Sequence, residues 1–442
     1  MSTQMLRARA GEITPEIEMV ARNEQRSPEE IRQGVASGTI VIPANRGHQG
    51  LRPVGIGRTL RTKVNVNLGA SSLVHFVDEE LEKVRLALAL GADALMDLST
   101  GVEVREIRTR ILAECWRPLG TVPIYEAPMI APDVSELDAS DLLRIVERQA
   151  QEGVDFMTIH AGLLRRHVPL LGQRRIPVVS RGGALILHWM QRRNAENPWY
   201  DRFDDLLSIA REYDVTLSLG DGLRPGCLHD ATDAAQLGEL QVLGELVRRC
   251  RAAGVQAMVE GPGHIPLDQI ERNMRLEREW CDDAPFYVLG PVVADCAPGY
   301  DHITGAVGGA WAAWHGAAML CYVTPAEHLG LPTLQDVREG LIAFKIAAHA
   351  ADVARGIPGA RERDDRIAFA RVHMDWAGQF ENALDPDAAR QRHAAYNARA
   401  GRSASEGQDY CTMCGPNFCP MRLVKPTDHV SARTADVPAH SR

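Results

Sequence analysis

Three thiols fall within nine residues near the end of the chain, at Cys411, Cys414 and Cys419 in "CTMCGPNFCPM". The C-x2-C-x4-C spacing sits among Gly415, Pro416 and Pro420, a loop-like setting. A structural zinc site needs four protein ligands, and no fourth Cys or His is close unless His429 or a distant residue folds in. A redox CxxC normally opens a helix after a strand. Three thiolates also suit a [4Fe–4S] cluster with one iron free of protein ligands, which can chelate S-adenosylmethionine and reduce it. On spacing alone, cluster, zinc and redox dithiol all stay open. Cys115, Cys227, Cys250, Cys281, Cys296 and Cys321 stand singly and read as small buried hydrophobes.

A second set of chemistry-bearing residues is spread along the chain, each at the end of a short apolar run. These are Asn65 and Asn67, Met96 and Asp97, Tyr125, His160, Ser180-Arg181-Gly182-Gly183, Asp221-Gly222-Leu223-Arg224, Glu260 and Tyr287. Taken singly, each could be a satisfied core group or a helix cap. Taken together they describe a pocket that hydrogen-bonds a polar small molecule. "SRGG" and "DGLRPG" add Gly-rich turns with an Arg fork, suited to phosphate or carboxylate. His264 in "EGPGHIP" and His328 in "TPAEHLGLP" sit in stiff Pro-bounded loops. They could share a metal with open positions for water or ligand, or each could cap a turn.

Nine short apolar runs, which would hold these residues, recur from about residue 62. They are "TKVNVNLG", "ALMDLS", "VPIYEA", "FMTIHAG", "IPVVSRGG", "VTLSLGDG", "VQAMVEGPGH", "FYVLGP" and "MLCYVTP", mostly about 28 to 41 residues apart. That is the length of a βα unit, and the alternation predicts a (β/α)8 barrel with one run too many. In such a barrel the chemistry gathers at the C-terminal strand ends, where these polar residues lie. Residues 1–61 form a small N-terminal segment, 62–332 the barrel, 333–400 a helical region and 401–442 a Cys-rich tail. Thr333 and Asp336 read as a capping box, a second helix spans about 362–383, and a third starts at Asp385. The last 20 residues read as disordered.

The charge of −9 argues against a nucleic-acid partner, since a phosphate backbone is met by a basic surface. Neither a signal peptide nor a membrane span is legible, so the expected compartment is the cytoplasm, where thiols stay reduced.

The sequence resembles the phosphomethylpyrimidine synthase family of thiamine biosynthesis, in the radical S-adenosylmethionine class. The resemblance runs from "EITPEIEMVA" to the Cys triplet through "NVNLG", "MDLSTG", "GTVPIYEA", "TIHAG", "SRGG", "SLGDGLRPG", "EGPGH", "APGYDHITGA" and "LCYVTPAEHLGLP". It implies that 5-aminoimidazole ribonucleotide is rearranged to 4-amino-5-hydroxymethyl-2-methylpyrimidine phosphate. It also implies substrate contacts at Asn67, Met96, Tyr125, His160, Ser180 to Gly182, Asp221 to Arg224, Glu260 and Tyr287. His264 and His328 would hold zinc or another divalent metal, and Cys411, Cys414 and Cys419 a [4Fe–4S] cluster. A homodimer whose cluster segment caps the other barrel is implied, as is an electron donor such as flavodoxin or ferredoxin. The chain departs from the family pattern at Asn417 (usually Lys), Glu126 (usually Gln) and Cys296 (usually apolar). The alternative product is that of the related 5-hydroxybenzimidazole synthase of anaerobic cobalamin biosynthesis. A reading from another class is a zinc-stabilised binding protein without catalysis.

Overall fold

The computed structural model describes residues 2–71, 73, 77–101, 103–402 and 410–424. The chain divides into two compact units, Met1–Pro358 and Gly359–Arg442.

The first unit begins with three short helices, Gln4–Arg9, Pro15–Glu24 and Pro28–Ser37. Thr3, Thr14 and Ser27 cap their N-termini, each side-chain oxygen accepting a backbone N–H that has no partner within the helix. Ser27 and Glu30 form a full capping box. Ile17, Val20, Ile31, Val35, Ile40, Ile42 and Leu60 close a small separate core. A two-stranded antiparallel ribbon, β1 (Ile40–Val41) with β2 (Ile56–Gly57), leads onward.

Eight parallel strands then close a barrel: β3 (Lys63–Leu68), β4 (Ala94–Asp97), β5 (Leu119–Thr121), β6 (Phe156–Ile159), β7 (Thr216–Leu219), β8 (Ala257–Gly261), β9 (Phe286–Leu289) and β10 (Met319–Cys321). The closing pair is β10 with β3. In β3 the sequence "KVNVNL" alternates, so Val64, Val66 and Leu68 enter the apolar core while Asn65 and Asn67 take the other face. Gly120 in β5 must lack a side chain, because a Cβ there would lie 2.2 Å from the Phe156 ring. The covering helices follow the apolar pattern. Ala139–Glu152, for example, buries Leu142, Leu143, Ile145 and Val146, is boxed by Asp138 and Asp141, and stops at Gly153 with φ +106°.

The barrel expectation holds, with particular corrections. The surplus run is "IPVVSRGG", which pairs with no strand; its second half instead opens the helix Arg181–Arg193. The third strand lies at Leu119–Thr121, ahead of "VPIYEA". Pro123 lacks an N–H for the ladder, and Pro123–Glu126 turns as a 3-10 helix. The helix Leu334–Arg355, grouped by sequence with the C-terminal helices, packs against the helices Val77–Ala89 and Asp301–Trp314 and against β3. It completes the eighth βα unit, and its Thr333–Asp336 capping box is present. Among the single cysteines, Cys296 is exposed and Cys227 half-buried, so neither is a buried hydrophobe.

In the second unit, Glu362–Val372 and Trp376–Glu381 are separate helices where one was expected. The break comes at Met374, whose φ is +54°, and Asp375 caps the new start. Asp385 caps Pro386–Arg399 as expected. No helix among the described residues is long and apolar enough to cross a membrane. The expected disorder of the last residues falls, from 425 onward, outside the described residues, as does His429.

Candidate functional site

The floor of the C-terminal barrel mouth is a hydrogen-bonded set from β3, β9 and β10. Asn65 Nδ2 donates to Tyr287 Oη at 2.8 Å and to Asn67 Oδ1 at 2.9 Å. Asn67 Nδ2 donates in turn to Cys321 Sγ at 3.0 Å. Burial pushes the Tyr287 phenol well up and the Cys321 thiol to about 12, so both stay neutral. Cys321, read from sequence as a core hydrophobe, thus lines the pocket. Across the floor, Glu260 from β8 accepts from Thr158 Oγ1 at 2.6 Å and Ser218 Oγ at 2.7 Å. Burial holds its carboxyl above the usual range despite those bonds.

One wall is made by close backbone approach. A Cβ on Gly182 would lie 2.2 Å from His160 Cε1, and one on Gly183 would lie 2.4 Å from the Gly222 carbonyl. Only glycines let the start of the helix Arg181–Arg193 reach His160 and the "DGLR" turn. Ser180 caps that helix by accepting from Gly183 N at 3.0 Å, and its Oγ lies 3.2 Å from His160 Nε2. Burial, with Arg224 adding repulsion, lowers His160 to about 3, so its ring is neutral. Arg181 lies over the Tyr125 ring at 4.7 Å. Arg224 pairs with Asp221 at 3.2 Å. Burial nevertheless pushes Asp221 to about 8, with Glu260 adding to the rise and Arg224 opposing it. Asn65 Oδ1, His160 Nδ1, Asp221 Oδ2 and Arg224 Nε are all buried without a partner among the described residues.

These groups surround a cavity of about 500 Å³ that includes Asn67, Tyr125, Arg181, Arg224, His264 and His328. A narrower inner space of about 70 Å³ reaches Met96, His160, Asp221, Glu260 and Tyr287. The barrel therefore gathers eleven of the sequence-expected positions around one mouth. Ser180, Gly182, Gly222 and Leu223 do not line it; they place the residues that do. Leu223 is held from both sides. Its N–H donates to Glu239 Oε2 at 2.7 Å, and Arg174 Nη2 donates to its carbonyl at 2.6 Å. Asp233 fixes Arg174 through two bonds at 2.7 and 2.8 Å. Sequence reasoning missed Glu239 and Arg174. The signal was a Glu on the buried face of the helix Ala234–Ala253, flanked by Ala235, Leu240 and Leu243.

Glu126 follows the pocket residue Tyr125 yet turns away from the cavity. It is buried and accepts from Arg108, Arg148 and Gln149. Burial works against its charge, but Arg108, Gln149 and Arg148 outweigh it and keep the carboxyl lowered. Glu126 is thus an ion-pair residue behind the wall.

The His264 and His328 rings stand 5.1 Å apart, centroid to centroid. His264 Nδ1 lies 2.8 Å from Asp295 Oδ1, and His328 Nδ1 lies 3.5 Å from Asp301 Oδ1. A ring that donates through Nδ1 keeps an Nε2 lone pair, the arrangement found behind metal-bound histidines. His328 has φ +61°, uncommon for a residue with a side chain. Among the described residues no group of three or more His, Cys, Asp or Glu is gathered to hold a metal ion. The two histidines therefore fit a metal only if water or ligand completes its shell.

In the second unit, Cys411 and Cys414 flank a turn closed by Gly415 N–H donating to the Cys411 carbonyl at 3.1 Å. Cys419 leads into the short helix Pro420–Leu423. All three are free thiols, Cys411 and Cys414 partly exposed and Cys419 buried. The donor chemistry suits an iron–sulfur cluster.

Among solved structures, dihydropteroate synthase of Xanthomonas albilineans, in complex with indole-2-carboxylic acid and 6-chloroguanine, is 14% identical with a TM-score of 0.41. The match covers 72% of this chain and 100% of that one. Yersinia pestis dihydropteroate synthase is 13% identical (TM-score 0.40, covering 71% and 98%). The phospho-2-dehydro-3-deoxyheptonate aldolase of Thermotoga maritima is 13% identical (TM-score 0.39, covering 67% and 72%). At such scores the likeness carries no argument. The sequence model of the radical SAM ThiC family, by contrast, matches residues 3–426. Nearly the whole chain is matched, the pocket residues and the Cys triplet with it, and the chain belongs to the radical SAM ThiC family, enzymes of thiamine pyrimidine synthesis that use S-adenosylmethionine and an iron–sulfur cluster.

Proposed function

We propose that this chain is a lyase converting 5-aminoimidazole ribonucleotide into 4-amino-5-hydroxymethyl-2-methylpyrimidine phosphate, with formate and carbon monoxide released. The observation that carries this reading is a set of unpartnered buried polar atoms on residues that line one mouth, His160 Nδ1, Asp221 Oδ2 and Arg224 Nε, with Asn65 Oδ1 in the floor beneath them. Buried polar groups are normally satisfied, so orphan atoms on three residues lining one space argue for a polar ligand there. Arg181 and the backbone amides opening its helix suit the phosphate. Neutral His160 and high-pKa Asp221 and Glu260 suit a neutral, amine-bearing ring, to which an uncharged group can donate or accept. Met96, Tyr125 and Tyr287 bound that ring, and Gly222 and Leu223 hold Asp221 and Arg224 at their spacing.

His264 and His328 would hold zinc or another divalent ion through Nε2, with Asp295 and Asp301 orienting the rings. When bound, a [4Fe–4S] cluster at Cys411, Cys414 and Cys419 would supply the electron that cleaves S-adenosylmethionine, taken from a donor such as flavodoxin or ferredoxin. The chain would work in the cytoplasm as a homodimer. An exposed apolar stripe of Tyr300, Ile303, Val307 and Trp314 on and before the helix Asp301–Trp314 supports a partner surface.

The deciding experiment is an anaerobic assay of the reconstituted enzyme with substrate, S-adenosylmethionine and reductant, read by mass spectrometry. The pyrimidine phosphate, 5′-deoxyadenosine and carbon monoxide are expected. Formation of 5-hydroxybenzimidazole would overturn the product assignment, and a colourless protein holding zinc at the triplet would overturn the cluster. Mixing Cys411→Ala with Asp221→Asn subunits tests the dimer. Random pairing restores about a quarter of wild-type sites if the tail serves its neighbour, and none if it serves its own barrel.

A further inference from the structure

The opposite, N-terminal mouth of the barrel holds a second polar cavity, of about 210 Å³. Three of its lining residues lie one or two positions ahead of adjacent strands: Arg61 before β3, Asp93 before β4 and Arg117 before β5. The helix Pro15–Glu24 closes one side with Asn23 and Glu24, and the stretch 53–55 another. The charges lining it, Arg61 and Arg117 with Glu24 and Asp93, are unevenly paired. Glu24 is engaged with Lys63 at 3.1 Å, with Arg61 Nη2 at 3.3 Å and with the Arg61 N–H at 2.8 Å. Asp93 accepts the Val64 N–H at 3.0 Å.

Arg117 has no carboxylate within ion-pair distance among the described residues, and its buried Nε has no partner there. One guanidinium face lies 4.6 Å from the Trp116 ring, which Arg52 also contacts, at 4.7 Å. Of the two arginines that line the cavity, Arg61 is paired with Glu24, whereas Arg117 is paired with neither Glu24 nor Asp93, and Arg52 adds a further cation across the Trp116 ring. Burial lowers Arg117; Asp93 opposes that, while repulsion from Arg61 and Arg52 adds to it.

We propose that this cavity is a binding site for a small oxyanion of the phosphate class, gripped by Arg117 and Arg61 with the Asn23 amide alongside. A guanidinium edge held by stacking and short of an acceptor matches an oxyanion in geometry and charge. An anion in the cavity gives the Arg117 guanidinium the partner it lacks and offsets its repulsion from Arg61 and Arg52. The site lies at the barrel mouth remote from the strand ends that carry the chemistry, and its existence does not rest on the proposed reaction.

The probe is inorganic phosphate, titrated into the full-length, cluster-free protein by calorimetry at constant ionic strength set with sodium chloride. Arg117→Gln removes the proposed site, whereas Arg181→Ala removes phosphate binding at the other mouth. Wild type and Arg181→Ala are expected to share one binding event that Arg117→Gln weakens at least tenfold. Arg61→Gln should weaken the same event if Arg117→Gln fails to fold. Phosphate should also raise the melting temperature of Arg181→Ala protein, since a ligand that binds only the native state stabilises it. No binding to wild type, equal binding to Arg117→Gln, equal binding to Arg61→Gln, or a sole event lost with Arg181→Ala would each overturn the proposal.

Discussion

The two mouths of the barrel are built from the same strands and treat their polar groups in opposite ways. At the N-terminal mouth most buried polar groups are answered, with Arg117 Nε and Thr216 Oγ1 as exceptions among the described residues. His48 bridges Asp155 at 2.6 Å and the Cys115 carbonyl at 2.7 Å, and Asp155 also accepts the N–H groups of Asn45 and Leu119. Burial disfavours charge on His48, but Asp155 and the Cys115 carbonyl together hold its pKa raised. Thr62 is bound through N–H and hydroxyl to Asp352. These bonds tie the N-terminal segment and the last barrel helix to strand starts. At the C-terminal mouth, Asn65, His160, Asp221 and Arg224 each leave a buried atom unanswered. One end spends its polar groups on stability and the other keeps them for a ligand. Arg117 matters because it is an unanswered group at the wrong end.

The sharpest way to break this contrast is Asp155→Ala. It strands His48 and two backbone N–H groups, and should cost about 3–5 kcal/mol, read by urea denaturation of the cluster-free protein. A loss under about 1 kcal/mol would show that the network is not what holds this mouth.

The mirror experiment, Asp221→Asn, should lower kcat/KM about 100-fold, equivalent to about 2.7 kcal/mol of transition-state stabilisation. The same change should leave stability at pH 7 unaltered or raise it by about 1 kcal/mol, because it relieves a buried carboxyl. A large drop in the urea midpoint would make Asp221 a structural residue.

The pH dependence follows from the same group. Asp221 keeps its proton to about 8 in the folded chain, but to only about 3.9 when unfolded. Its contribution to stability is fully present below about pH 4 and is lost as the pH rises toward about 8. Ligand-free wild type should therefore weaken across that window, and Asp221→Asn should weaken less steeply. Parallel profiles would place the raised pKa elsewhere.

Glu126→Gln should have the smallest effect. It removes one charge from a buried set in which Arg108 keeps Glu152 as a second partner. About 1–2 kcal/mol of stability should be lost, with KM for the substrate within about twofold. A larger change in KM would mean that the wall behind Tyr125 reaches the pocket.

Much of this architecture was legible in the chain because βα repetition and strand-end polarity are local patterns. Asn65 and Asn67 stand out by alternation with Val64 and Val66. The surplus run was not legible, because "IPVVS" has strand composition and only the closing of β6 onto β7 excludes it. The true third strand escaped notice because "LGT" is three residues long and holds a glycine. Glu239 and Arg174 act through the backbone of Leu223, a contact formed in space that no spacing records. The orientation of Glu126 likewise depends on Arg148, 22 residues away on another helix. The Cys triplet was plain as a motif, since its meaning lies in residue type more than in packing.

The approach of Gly182 to His160 and of Gly183 to Gly222 also limits how this pocket can diversify. Where backbone meets ring at 2.2 Å and backbone meets backbone at 2.4 Å from a virtual methyl, even alanine is excluded. A library that randomised the whole rim would waste most of its members at these two positions. Variation has room instead at Met96, Tyr125 and Leu289, whose side chains face the cavity. Drift in what this scaffold accepts enters by side chains such as these, while the glycine seam stays shut.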